Sequence, residues 1–139
     1  ATAGRKAERW IRIIREAAEQ SCRGRLPELA PAQSFSEALQ QSSASDLALL
    51  LWEGQQAEPL QHALQAAVHS ALTRPSLAIL SGPEGGLTSG ELEQALSVGV
   101  RAVTLGPRIL RAETAPLAAL SAILYAYGEM DMVQTKVTV

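Results

Sequence analysis

Two segments bring glycine, charge and apolar side chains together at spacings that can do chemistry. The first, SGPEGGLTSGE over residues 81–91, lies between a short apolar run and the start of a helical pattern. Open α/β sheets bind their ligands at that position. Gly82, Gly85 and Gly86 let the backbone approach a ligand closely. The spacing matches neither GxGxxG nor a P-loop, and no Lys follows it. Glu84 would repel a triphosphate, which leaves an uncharged or cationic ligand. The second segment, LGPRILRAETA over residues 105–115, follows another apolar run. Pro107, Ile109 and Leu110 can line a flat pocket for an adenine ring. Arg108, Arg111 and Glu113 set three charges beside apolar neighbours, which is costly unless they are paired or functional. Each segment also has a plainer reading. Glycine turns punctuate many chains, and Glu113 could sit on a helix dipole with Arg111 in a salt bridge.

Other reactive residues carry less. His62 and His69 lie seven residues apart on one helical face, about 10 Å along the axis, too far to share a metal. No other His or Cys cluster offers a zinc site, so no metal is expected. Cys22 has no neighbouring His to make it a nucleophile, and Ser81 and Ser89 lack the GxSxG setting of a hydrolase. Gln20 and Arg23 stand three residues apart at the end of a basic helix and could reach a base or phosphate together.

Periodicity supplies the elements that must position these groups. Trp10, Ile13, Ile14, Ala17, Ala18 and Ser21 predict a helix over 5–22, closed by Gly24 and Pro27. Ser34 with Glu37 is a capping box before a helix over 35–42. Leu47 to Trp52, Leu77 to Ser81 and Val100 to Leu105 are apolar runs of strand length. Leu60 to Leu72 carries a helical stripe with Pro59 at its first turn. Thr88 and Glu91 form a second capping box, for a helix ending at Gly99. Strands alternating with helices predict an α/β fold with a parallel sheet flanked by helices. A last helix over 113–127 has almost no polar face. It must be buried all round, and in so small a domain that points to a partner chain covering one side. The tail from Asp131 fits either an edge strand or disorder.

At 139 residues and 47% apolar, the chain suits one domain with a sizeable core. The lone Cys22 excludes an internal disulfide framework, and no apolar run approaches the ~20 residues that span a bilayer. A cytoplasmic protein is expected. The first residue is Ala, and a helical pattern begins almost at once, which suggests a fragment. Residues 1–25 hold seven basic and three acidic side chains, a local charge of +4 within a total of −2. Ten of the twelve basic residues are Arg, the better side chain for phosphate and base contacts. A basic face on an acidic body hints at nucleic acid, although a helix laced with Glu/Arg pairs would look the same.

Taken together, GPEGG with a following Glu (Gly82–Gly86, Glu91), LGPRILRAETA (Leu105–Ala115) and ERWIRIIREAAEQSCR with its LP (Glu8–Arg23, Leu26, Pro27) resemble the bacterial RsmE family. These are 16S ribosomal RNA (uracil-N3)-methyltransferases of the SPOUT superfamily. Leu87 stands where Phe is common, and Ala112 where Thr is. The resemblance implies a C-terminal trefoil knot, an exception to the rule against threading, and a homodimer. It also implies that a PUA-like N-terminal domain and the first βα unit are absent from residues 1–139. S-adenosylmethionine is the implied cofactor, and its cationic sulfonium tolerates Glu84. Leu80, Gly82 and Gly85 would line one side of it, and Leu105, Gly106, Ile109, Leu110 and Ala115 would hold the adenine and ribose. Uracil N3 must lose its imide proton, which throws negative charge onto O2 and O4. Arg111 and Arg23 are the candidate cations, and Glu113 or Glu84 the candidate base. Small-subunit ribosomal RNA would lie on Arg9, Arg12, Arg15, Gln20 and Arg23. Two alternatives are methylation of another nucleotide, including the 2′-O-ribose, and a silent RNA-binding module.

Overall fold

The computed structural model describes residues 2–68 and 75–131. The chain divides into two units, Ala1–Gln33 and Ser34–Val139. The first contains α1 (Thr2–Gln20). This helix stops before Gly24, because Cys22 takes the left-handed conformation at φ 53° and closes it. Cys22 N–H donates to Glu19 O at 3.2 Å and Arg23 N–H to Ala18 O at 2.9 Å, which satisfies carbonyls of the last turn.

The second unit runs α2 (Phe35–Ser43), β1 (Leu47–Leu51), β2 (Glu58–Pro59), α3 (Leu60–Val68), β3 (Leu77–Ser81), α4 (Ser89–Ser97), β4 (Arg101–Thr104) and α5 (Thr114–Ala126). Both capping boxes form. Ser34 exchanges hydrogen bonds with Glu37, and Thr88 with Glu91. The strands pair in parallel in the order β2-β4-β1-β3. Period-two alternation sends Ala48, Leu50 and Ala102 to one face, where they meet Leu39 of α2 with Leu92 and Ala95 of α4. Leu47, Leu49 and Val103 face the other way, toward Leu60, Ala63 and Leu64 of α3 and Ile123 of α5. The predicted parallel α/β layering is therefore present. Residues 69–72 of the predicted helix, His69 among them, and the tail beyond Asp131 lie outside the described residues.

Two details depart from the sequence reading, and the strand order adds a third that it did not address. Pro59 belongs to the short strand β2, which lies on the outer edge of β4, where a missing N–H is tolerated. β4 itself enters between β1 and β2, two strands that precede it, so the 52–57 connection spans it. Within this chain α5 is not buried all round. Ala119 and Ile123 are buried, whereas Leu117 is 67% and Leu120 46% exposed.

Two polar contacts fasten the sheet. At the amino ends of the strands Ser76 donates to Asp46 Oδ2 through its N–H at 2.8 Å and its hydroxyl at 2.7 Å. Asp46 N–H donates back to Ser76 Oγ at 3.0 Å. These bonds hold the Asp46 carboxyl below its ordinary pKa. On the α3 side Arg101 grips Glu58 with two nitrogens, Nε to Oε1 at 2.7 Å and Nη2 to Oε2 at 2.8 Å, which ties β2 to β4. The guanidinium holds the Glu58 carboxyl below its usual 4.5. A depressed folded-state pKa stabilises above the unfolded value and ceases to as pH falls through the folded one. Glu58→Gln should therefore lower stability by about 1 kcal/mol at pH 7, as both partners are a third exposed. The gap in urea midpoint between variant and parent should narrow as acid protonates Glu58 in the folded state, and a gap unchanged from neutral to acid pH would contradict this account of the pair.

Candidate functional site

Parallel strands all end on the same side, so β1, β3 and β4 deliver their following loops to one place. A cleft of about 740 Å³ opens there, lined by Leu51–Gly54, Ser81–Leu87 and parts of Val103–Ala115. That volume suits a small cofactor or a nucleoside.

The loop after β3 is shaped by its own backbone. Gly86 N–H donates to Pro83 O at 2.9 Å, and Gly86 takes φ 74° to close the turn. A Cβ on Gly82 would press on Leu87 Cγ at 3.1 Å, whereas one on Gly85 would meet no protein atom within 4 Å. Beyond the turn Thr88 accepts from Glu91 N–H at 3.2 Å and donates its own N–H to Glu91 Oε2 at 2.7 Å. The N–H and hydroxyl of Thr88 hold the Glu91 carboxyl below its ordinary pKa.

The loop after β4 begins at Gly106, whose φ of 110° suits only glycine. Thr104 pins it from both sides: its hydroxyl donates to Gly106 O and accepts Gly106 N–H, each at 3.2 Å. Ile109 is 81% exposed at the cleft wall, a large apolar cost unless something covers it. Arg111 O accepts Thr114 N–H at 2.9 Å and Ala115 N–H at 3.0 Å, which starts α5 and leaves the guanidinium free of backbone duty. Glu113 occupies the N-cap of α5 without a side-chain capping bond.

The structure brings together Glu84, Arg111 and Glu113 with Gly82, Gly85, Leu105, Gly106, Ile109, Leu110 and Ala115. Leu80 is not among the residues that line the cleft, and its side chain packs on the core with Ala78 and Leu87. Arg9, Arg12, Arg15, Gln20 and Arg23 belong to the first unit and are exposed there. Arg12 pairs with Glu16 at 3.8 Å. Arg111 and Glu113 form no ion pair among the described residues, so the salt-bridge reading of that segment is absent. Among the same residues no group of three His, Cys, Asp or Glu is placed to hold a metal, and no helix is long and apolar enough to cross a membrane.

One part of the lining escaped the sequence reading. Trp52, Glu53 and Gly54 follow β1 and carry no motif, yet a strand end beside two ligand-binding strand ends was the available signal. With Glu53 the wall holds three carboxylates against Arg108 and Arg111. A net negative wall favours a cationic ligand over a polyphosphate.

Residues 1–124 match the RNA methyltransferase domain model. The chain belongs to that family. Relatives agree with the motif-based likeness to RsmE. A ribosomal RNA small subunit methyltransferase E of Bacillus subtilis is 44% identical over 123 residues, 88% of this chain and 48% of that protein. One from Synechocystis is 38% identical, over 85% of this chain and 38% of its own length. The chain spans about half or less of the length of these curated relatives. Among solved structures, a ribosomal RNA small subunit methyltransferase E from Neisseria gonorrhoeae bound to S-adenosyl methionine superposes with TM-score 0.74 at 35% identity. The match covers 90% of this chain and 49% of that one. A putative methyltransferase from Legionella pneumophila in complex with the cofactor SAM gives TM-score 0.75 at 28% identity, covering 90% and 48%. The family chain thus has an RsmE-type domain whose cleft sits at the ends of a parallel sheet.

Glycine placement in this methyltransferase domain separates shape from space. Gly106→Ala should cost roughly 1–2 kcal/mol from its positive φ, lowering the melting temperature by several degrees. Gly85→Ala should leave it nearly unchanged, because no protein atom opposes the added methyl. Equal melting temperatures for the two variants would contradict the loop geometry.

Proposed function

We propose that this chain carries the catalytic cleft of an S-adenosylmethionine-dependent methyltransferase acting on N3 of a uridine in small-subunit ribosomal RNA. The carrying observation is the cleft itself, where open glycine space, an exposed apolar wall and both signs of charge converge in a member of the RNA methyltransferase family. The residues fit the cofactor. The position of Gly85 leaves room for backbone approach, and Leu105, Ile109 and Leu110 offer apolar cover for a flat ring. Glu53, Glu84 and Glu113 suit a cation without phosphate. When bound, S-adenosylmethionine supplies an electrophilic methyl group.

The remaining chemistry belongs to the protein. N3 lies on the pairing edge of uracil, so the base must be unpaired or flipped to enter. Glu84 or Glu113 takes the imide proton, and the electron pair left on N3 becomes the nucleophile. Charge spreading to O2 and O4 meets Arg111, whose planar guanidinium presents fixed donors. Arg9, Arg12, Arg15 and Gln20 on α1 form the surface for the RNA backbone. Reaction on ribosomal RNA places the enzyme in the cytoplasm.

Two architectural features belong to the same proposal. A trefoil knot accords with β4 lying between β1 and β2 beneath the 52–57 connection. Homodimerisation accords with the apolar residues that α5 leaves outside, Leu117, Leu120 and Leu124, joined by Tyr125 at 77% exposure.

Two experiments test the reading. Calorimetry should detect S-adenosylmethionine binding, and Gly85→Val should abolish it while the melting temperature holds. Retained affinity would move the cofactor elsewhere. In the enzyme that carries this chain, mass mapping of treated small subunits should locate the methyl group on a uracil base. Arg111→Ala should lower turnover by a factor on the order of 10²–10³, with cofactor affinity little changed. A methyl group on ribose, or normal turnover, would overturn the corresponding assignment.

A further inference from the structure

The proposed reaction draws on the two long loops of the cleft and, from the third, Trp52–Gly54, on the charge of Glu53 alone, which leaves Trp52 without a role. β1 lies between β3 and β4, so this short loop stands between the other two. Trp52 is held there in three ways. Its N–H donates to Val103 O at 2.9 Å, extending the β1–β4 ladder by one residue. Its ring packs against the core on the α2 and α4 side of the sheet. Gly54 makes room for the indole, since a Cβ at that position would collide with Trp52 Nε1. The side chain nevertheless stays partly exposed and forms part of the cleft wall. An indole fixed by backbone, core and a neighbouring glycine has lost its rotamer entropy before any ligand arrives. An indole is a flat π surface, and stacking on such a surface is a main source of affinity for nucleobases.

We propose that Trp52 is the stacking platform for a nucleobase in the cleft, with Gly54 setting the position of the ring. This rests on the methyltransferase reading, which brings two nucleobases to the site, the adenine of the cofactor and the target base of the RNA. Both offer the same π face. Leu51 before Trp52 and Glu53 after it are an aliphatic and a carboxylate side chain, so the indole is the aromatic surface of this loop.

The chain has two tryptophans, Trp10 on α1 and Trp52. Trp10→Phe therefore makes Trp52 the sole tryptophan reporter without altering the cleft. This protein is titrated with S-adenosylmethionine and, separately, with a short single-stranded RNA containing uridine, while tryptophan emission and calorimetric heat are recorded. Quenching by S-adenosylmethionine assigns the platform to adenine, and quenching by the RNA alone assigns it to the target base. In either case Trp52→Leu should weaken that ligand by about tenfold, and Trp52→Phe should recover most of the affinity. Heat from both ligands with unchanged emission, and Trp52→Leu binding as the parent does, would overturn the platform and leave the methyltransferase reading standing. Absence of heat with S-adenosylmethionine would overturn that reading, and the platform would then stand or fall on the RNA arm. The emission measurement keeps its force even if Trp52→Leu fails to fold.

Discussion

β1 is the strand on which the molecule depends, because it pairs on both edges and is buried on both faces. Leu47 to Leu51 align with Leu77 to Ser81 on one side, and Leu49 to Leu51 align with Arg101 to Val103 on the other. Neighbouring strands stand about 4.8 Å apart, so the three loops that leave β3, β1 and β4 start within roughly 10 Å of one another. The cleft is a property of that ladder before it is a property of any side chain. Glycine and charge then decide what the cleft will accept.

The sequence revealed most where one local signal sufficed. Two capping boxes announced α2 and α4, and three short apolar runs announced the buried strands, because each rests on residues close in the chain. The glycine turn and the RIL segment were legible for the same reason. β2 was not. Its two residues become a strand only because β4 arrives beside them and Arg101 grips Glu58 across more than forty residues. Leu80 was assigned to the site by motif, but strand alternation turns its side chain into the core with Ala78. Trp52 to Gly54 stayed hidden since their placement depends on the order of strands, which no single segment encodes.

The two ends of the sheet are built differently. At the amino ends Asp46 and Ser76 exchange three hydrogen bonds between β1 and β3. At the carboxyl ends the backbone turns through Gly86 and Gly106 at positive φ, and Glu53, Glu84, Arg111 and Glu113 make no ion pair among the described residues. The carboxylate at the amino end is thus tied down by hydrogen bonds, while the charged side chains of the cleft at the other end are left without an ion pair among the described residues. Ligand-binding loops are generally drawn from the less tightly held parts of a fold.

The position of β4 bears on how the chain is made. Synthesis proceeds from the amino terminus at about 5–20 residues per second, so β1 and β3 emerge and can pair well before Arg101–Thr104 exist. Until then one edge of β1 stays unpaired, a template for the wrong strand. The nascent sheet waits with an open slot, and the strand that fills it also brings the RIL segment that completes the cleft. A half-made chain therefore has a core face but no ligand site, and a ligand that needs both long loops can recognise only chains whose sheet has closed.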